Sequence, residues 1–351
     1  MASEAPLRVL QLGLGARGRT WARIVAGCTL AAPVGYVDPR PEAREWAAAE
    51  GPPAAPVFGD LEDALRHVAA DIALVVTPPH DRRAMVAALF SQGLHVLAEK
   101  PLALSLEDAV SMVREAARAG LNLGVVQNFR YMPASRRLRE IVGSGRYGRP
   151  TYATILYTRN RDGLAPHLNK YPLVMDHPML LEQSIHHLDL LRYVYGGEVE
   201  DIICQTWNPL GSMYRGDACA AALIRLQNGL SVAYHGTWVS GSNTLAFQWR
   251  TDLERGVVMQ RDLFGDLVEG GSGDPELKAV PLPHAEPFRD DSRLLLEDFV
   301  RACRDGAKFG PSGHDHLRTL ALTLACVESA ETGRRVALRD FAARHRLEST
   351  A

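Results

Sequence analysis

The sequence is poor in the features that mark several classes of protein. Its five cysteines, Cys28, Cys204, Cys219, Cys303 and Cys326, are scattered and never spaced C-x-x-C. That argues against a disulfide framework and against a metal site built on thiolates. The longest apolar runs, such as residues 72–76, have the length of a strand, and none approaches the roughly 20 residues of a membrane span. Neither sign of charge dominates: 39 basic and 41 acidic residues leave a formal net charge of -2. A nucleic-acid partner, which selects for a basic stripe, is therefore not expected. The opening Met-Ala-Ser-Glu-Ala-Pro has no basic stretch followed by an apolar core. No secretory signal or membrane association is expected, and the reducing cytoplasm is the expected setting.

What is present is ordinary globular composition. Of 351 residues, 46% are apolar and 23% charged, enough to bury a core and too apolar for a disordered chain. Length favours two domains. The first is expected over 1–126, the second over 127–351. In the first, apolar runs at 7–12, 33–37, 72–76, 94–98 and 121–126 alternate with helical patterns at 17–26, 61–68, 82–92 and 106–119. Asp60 and Ser105 stand at N-cap positions, and Gly93 and Gly120 at stops. Such alternation specifies an α/β domain on a parallel sheet. The second half reads as α+β on a mostly antiparallel sheet. Its helices are expected at 132–142, 180–195, 292–303 and 314–332, its strands at 151–157, 199–207, 218–226, 230–239, 245–250 and 256–260. Asn228-Gly229 marks a hairpin, and 269–275, rich in Gly, Ser and Asp, reads as a surface loop.

Gly13-Leu14-Gly15-Ala16-Arg17-Gly18 follows the first strand and opens the first helix. In that context G-x-G-x-x-G specifies a dinucleotide-binding turn. One glycine permits the turn, one lets backbone N–H groups approach a pyrophosphate, and one lets the helix pack closely. Asp38, 20 residues after Gly18, is placed to accept hydrogen bonds from the adenosine ribose, which favours NAD. Arg40 beside it leaves NADP open, since an arginine there can hold a 2′-phosphate. Thr77-Pro78-Pro79 and Glu99-Lys100-Pro101 close two strands, and ligands of an open parallel sheet bind beyond the carboxyl ends of its strands. Lys100 is expected to project toward the nicotinamide end.

Leu181-Glu182-Gln183-Ser184-Ile185-His186-His187-Leu188-Asp189 carries the acid–base chemistry. Helical spacing puts Leu181, Ile185 and Leu188 on one stripe and Glu182, His186 and Asp189 on another face. Histidine is the natural general base near neutral pH, and an adjacent carboxylate orients it. His187 points elsewhere and suits a structural role. The preceding loop offers Arg159, Asn160, Arg161, Asp162, His167, Asn169, Lys170 and Tyr171 to a polyhydroxylated substrate, although the same residues also suit a solvated loop. Trp207, Trp238 and Trp249 can stack on a sugar ring or fill a core.

These motifs, with Gly124–Tyr131 (GVVQNFRY) and the GSGRYGRP turn at 143–150, resemble the glucose–fructose oxidoreductase / inositol dehydrogenase / rhizopine-catabolism (Gfo/Idh/MocA) family. The resemblance implies a Rossmann domain followed by an open-faced sheet domain. It also implies hydride transfer between NAD(P) and a carbinol of a sugar, sugar derivative or cyclitol. It makes Lys100 the group that hydrogen-bonds the reacting oxygen and His186 the proton acceptor and donor. Glu182 replaces an aspartate, Ser184 a glycine, and Arg82 stands where many members carry a histidine. Asn128 falls near the nicotinamide ribose, and Arg130 at a substrate- or cofactor-contacting position. A cofactor-recycling elimination or epimerisation through a transient keto-sugar, or a dinucleotide-bound sensor, fits the same fold. The expected assembly is a homodimer or homotetramer. Val232, Tyr234 and Trp238 are expected on the sheet face that seeks a partner.

Overall fold

A computed structural model of the chain describes residues 5–52, 55–80, 82–166 and 168–347. By density of contacts the chain divides into two compact units. Of the described residues, one unit comprises those up to 128 and 288–317, the other those from 129 to 287 and from 318 to 347.

The first unit is a Rossmann-type sheet. Its elements are β1 (Leu7–Leu12), α1 (Ala16–Ala26), β2 (Ala31–Val37), α2 (Pro41–Ala49), β3 (Val57–Phe58), α3 (Leu61–His67), β4 (Ile72–Val75), α4 (Arg82–Ser91), β5 (His95–Ala98), α5 (Leu106–Ala119) and β6 (Leu123–Val125). The six strands run parallel in the order β3-β2-β1-β4-β5-β6. The order reverses between β1 and β4, and that switch point is where such sheets open a crevice. Every residue of β4 is buried, as a continuous apolar run requires of a strand covered on both faces. The anticipated caps form: the Asp60 and Ser105 side chains accept from the amides of Asp63 and Asp108, and Gly120 closes α5 in the left-handed region. Helix α2 and strand β3 are additions to the sequence reading. Pro41 occupies the first turn of α2, where its missing N–H costs nothing. Ala43, Trp46 and Ala47 bury one face of α2 with Leu14, Ala22 and Tyr36.

The second unit contains α6 (Pro133–Gly143), β7 (Pro150–Thr158), α7 (Ile185–Tyr195), β8 (Val199–Trp207), β9 (Cys219–Leu226), β10 (Ser231–Thr237), β11 (Ala246–Leu253), β12 (Gly256–Gln260), β13 (Leu267–Gly271) and β14 (Lys278–Val280). Helix α8 (Asp290–Asp305) belongs to the first unit, and α9 (Gly313–Thr332) begins there. Strand β15 (Val336–Ala337) and α10 (Leu338–Arg344) close the second unit. The nine-stranded sheet has the order β14-β13-β12-β11-β7-β10-β9-β8-β15. It is antiparallel except for the parallel pair β7–β10. The turn at Asn228-Gly229 joins β9 to β10, with Gly229 at φ 88°.

Three expectations are corrected. The helix expected over 180–195 is α-helical only from Ile185, because Met179–Ser184 forms a π-helix. Part of the expected loop 269–275 is strand: Glu269, Gly270 and Gly271 pair with β12. Val232, Tyr234 and Trp238 lie on the covered face, each 3% exposed or less. The open face instead carries Tyr152, Leu156, Ile203 and Leu223.

Candidate functional site

In the first unit the glycine loop is shaped by what it must avoid. Gly13 has φ 99°, and a Cβ there would sit 2.7 Å from the Val76 carbonyl oxygen at the end of β4. A Cβ on Gly18 would lie 2.2 Å from the Gly13 oxygen, so the third glycine is what lets α1 close on the loop. Gln11, buried in β1, donates to the carbonyls of Gly13 (3.0 Å) and Gly18 (2.8 Å). Gly15 caps α1 with no side-chain acceptor, and its first turn holds no acid. Its N–H groups and partial positive charge suit a phosphate.

Asp38, at the end of β2, accepts from the Leu14 amide at 2.7 Å. Arg40 holds both its oxygens (3.0 and 2.9 Å). Burial acts to raise the Asp38 pKa, but Arg40 and the two backbone amides outweigh it, so the carboxylate stays below its ordinary range.

The strand-end motifs are tied together by Arg82, which is 2% exposed. Its guanidinium donates to the carbonyls of Thr77, Glu99 (2.5 Å), Pro101 (2.6 Å) and Leu102 (3.2 Å). The loops after β4 and β5, the second carrying Lys100 and a cis Lys100–Pro101 peptide, thus share one buried cation. The Glu99 side chain accepts from Arg17 and the Trp21 indole, both at 2.8 Å. Desolvation pushes Glu99 up, yet Arg17 and Lys100 pull it net downward, so it is anionic. Arg17 also reaches the Ser292 hydroxyl at 2.8 Å. Asn128 donates to the Asp291 carboxylate. The Thr77 hydroxyl and Asp291 Oδ1 are buried with no hydrogen-bond partner. A glycine cradle, an uncapped helix end, an acid after β2 and an orphaned hydroxyl at the switch point together fit a dinucleotide.

In the second unit the π-helix presents Glu182, and α7 presents His186. Tyr171 donates to Glu182 Oε1 at 2.7 Å. The His186 ring stacks on Phe129, centroids 4.2 Å apart and planes 12° from parallel. Asp189 is gripped by Arg130 through two bonds of 2.6 Å and by the Thr319 hydroxyl at 2.8 Å. Arg130, 59 residues away in sequence, therefore anchors α7. His187 sits among Tyr157, Phe129, Tyr234 and Phe247. Burial lowers its pKa to about 3, and it is neutral. Tyr234 gives its hydroxyl proton to Ser184 at 2.8 Å, so His187 Nδ1 is the donor across the 3.1 Å contact to Tyr234. Its Nε2 is left to accept from Gln183. Sequence alone marks Arg82 only as standing in a histidine's place and Tyr234 only as an apolar strand residue, and it gives Gln11 and Phe129 no role, because the carbonyls of Gly18, Glu99 and Pro101, the Ser184 hydroxyl and the His186 ring come within their reach only by folding.

His167 lies outside the described residues. Trp249 fills the core and donates to Tyr195, whereas Trp207 is 40% exposed on its strand. Among the described residues no helix is long and apolar enough to cross a membrane, and no group of three or more His, Cys, Asp or Glu could hold a metal ion.

Residues 7–127 match the oxidoreductase family with NAD-binding Rossmann fold, and residues 135–257 match the GFO/IDH/MocA C-terminal domain. The 1,5-anhydro-D-fructose reductase of Ensifer adhaerens is 27% identical, over 75% of this chain and 78% of its own. An inositol 2-dehydrogenase of Rhizobium meliloti is 26% identical over 93% of this chain and 98% of its own. An oxidoreductase from Agrobacterium radiobacter, solved with NAD+, L-tartaric acid and magnesium, superposes with a TM-score of 0.87 at 20% identity. That superposition covers 95% of this chain and 99% of the other, and it shows the shared fold.

Proposed function

The chain belongs to the Gfo/Idh/MocA oxidoreductase family, and on that premise we propose that it transfers hydride between a nicotinamide cofactor and a carbinol carbon of a sugar, sugar derivative or cyclitol. One observation carries the reading: an uncapped helix end beneath the Gly13–Gly18 loop with Asp38 after the next strand. The sugar and cyclitol relatives support the substrate class. Asp38 makes NAD the preferred cofactor, with NADP the alternative that Arg40 keeps open.

When bound, the nicotinamide supplies or accepts the hydride. His186, held flat by Phe129, takes the hydroxyl proton in oxidation and returns it in reduction. The Lys100 ammonium stabilises charge developing on the substrate oxygen. Glu182, oriented by Tyr171, contacts a substrate hydroxyl and biases the His186 ring. Positioned acid–base catalysis of this kind contributes about 10²–10⁴-fold. Leu14, Ala16 and Arg17 of the glycine loop, the Thr77-Pro78-Pro79 turn, Glu99 and Asn128 line the cofactor path in this reading.

The open sheet face, with Leu223 63% exposed beside Tyr152 and Ile203, is the proposed homodimer or homotetramer interface. Leu223→Glu then lowers the mass measured by light scattering.

The test is a cofactor-absorbance screen of sugars and cyclitols with NAD+ and NADP+ on the native chain, His186→Ala and Lys100→Ala. The native chain forms reduced cofactor, and each variant loses most turnover while still binding NADH. Unchanged turnover in both variants rejects the assignment.

A further inference from the structure

Hydrogen-bond donors gather, with hydroxyls but no carboxylate among them, where β7 runs out into the loop leading to Tyr171. Arg159 and Arg161 follow Thr158 at alternate positions, both partly buried. Arg161 is fixed in place. Its guanidinium lies 4.5 Å over the Trp238 ring. It donates to the Tyr214 hydroxyl at 3.1 Å, and that hydroxyl donates back to the Arg161 carbonyl at 2.7 Å. Trp238 and Tyr214 pack with ring centroids 5.5 Å apart.

Trp238 is 3% exposed, and its indole N–H meets no acceptor at hydrogen-bonding geometry. The Tyr157 hydroxyl lies in the same corner. Burial raises its pKa, while Arg159, Trp238 and Arg161 act in the opposite direction. A phenol, an indole N–H and two guanidinium groups therefore converge on one place. Buried donors are normally satisfied, and each exception asks for a cause.

Several arginines withdrawn from water elsewhere in the chain meet carboxylates, as Arg17 does Glu99, Arg130 does Asp189 and Arg192 does Glu198, whereas Arg44 and Arg82 are met by backbone carbonyls. Among the described residues, neither Arg159 nor Arg161 forms an ion pair. The neighbouring acid, Asp162, is exposed and turns Oδ1 to the Leu164 amide at 2.9 Å. Guanidinium groups held against aromatic rings and partly withdrawn from water bind oxyanions strongly, because the fork is already oriented and little hydration is lost. The corner is also tied to the acid–base helix. The Tyr157 ring packs 5.1 Å from His187, the immediate neighbour of His186.

We propose that Arg159 and Arg161, with the Trp238 indole N–H and the Tyr157 hydroxyl, form a subsite for an oxyanion carried by the substrate. The substrate is then an acidic sugar or cyclitol derivative, not a neutral polyol. This rests on the hydride-transfer reading above.

The experiment measures binding and turnover separately. Calorimetric binding, with NADH present, and formation of reduced cofactor from NAD+ are recorded for glucose against glucuronate, galactose against galacturonate, and glucose against glucose 6-phosphate. The chains are the native protein, Arg159→Gln and Arg161→Gln. Thermal melts check folding, and Arg159→Gln removes no aromatic stacking. The native chain prefers an anionic member over its neutral partner by about 10- to 100-fold, and each variant abolishes that preference. Whether uronate or phosphate gains identifies the anion. Equal affinity for charged and neutral members, a preference that survives both variants, or no binding of any member overturns the subsite. Turnover of neutral sugars with no gain for the anions leaves the hydride reading standing and the subsite rejected. Arginine-dependent binding of an anionic sugar, with no reduced cofactor from any member, does the reverse.

Discussion

The imidazole of His186 lies parallel to the phenyl ring of Phe129, 4.2 Å away, and Phe129 itself is 3% exposed. The stack fixes the ring plane and leaves the edge nitrogens as the only chemically active part of the side chain. Phe129→Leu keeps the volume nearly full but releases the ring to rotate. The expected result is a loss in kcat of about 10-fold or more with NADH affinity retained, since small misplacements of a catalytic group are costly. Steady-state kinetics beside NADH titration checks this.

Arg82→Met removes the buried cation that holds the carbonyls of Thr77, Glu99, Pro101 and Leu102. Those oxygens lose a strong donor, at a cost of about 3 kcal/mol in stability. Because the loop after β5 carries Lys100, turnover falls as well. A thermal melt shows the lost stability. Arg82→Lys, which keeps the charge without the fork, recovers only part of it.

His187 gives a pH signature. Its folded-state pKa is about 3, below the ordinary value near 6.5. Below that ordinary value the unfolded chain takes up a proton that the native chain refuses. Stability therefore drops as pH falls from about 6.5 toward 3, by up to about 1.4 kcal/mol per pH unit from this group. Above pH 6.5 the residue contributes no slope. Denaturant melts of His187→Gln across this window show a shallower dependence than the native chain. An identical slope rules out His187 as its source.

Asp38→Ser removes the acid that repels a 2′-phosphate and releases Arg40 from its ion pair. The ratio of kcat/KM for NADP+ over NAD+ rises by about 10- to 100-fold, equivalent to about 1.4–2.8 kcal/mol. Initial rates with both cofactors measure it.

Local signals in the sequence are legible where one element decides its own form. Ser105 and Gly120 bound α5, and strands β8 and β12 occupy their expected spans, because capping and alternation act over a few residues. Helix α2 is not legible in the sequence even though Pro41 at its start is a helix signal, since nothing near it announces the strand it packs against. The row of Glu182, His186 and Asp189 follows from ideal α-helical spacing. The π-helix through Ser184 changes that spacing, and Tyr234, 50 residues away, donates to the Ser184 hydroxyl. Arg130 and Asp189 illustrate the same difficulty: each is visible as a charged residue, and only the fold pairs them.

The compact unit around β1–β6 includes residues 288–317. Gly124 in β6 is backed by Phe299 and Phe309, so closely that a methyl group there would lie 2.7 Å from either ring. Anyone grafting this cofactor half onto another partner should carry that distant stretch along. A recombinant boundary drawn after β6 alone would strip two aromatic rings from the sheet and leave a sticky flank in their place.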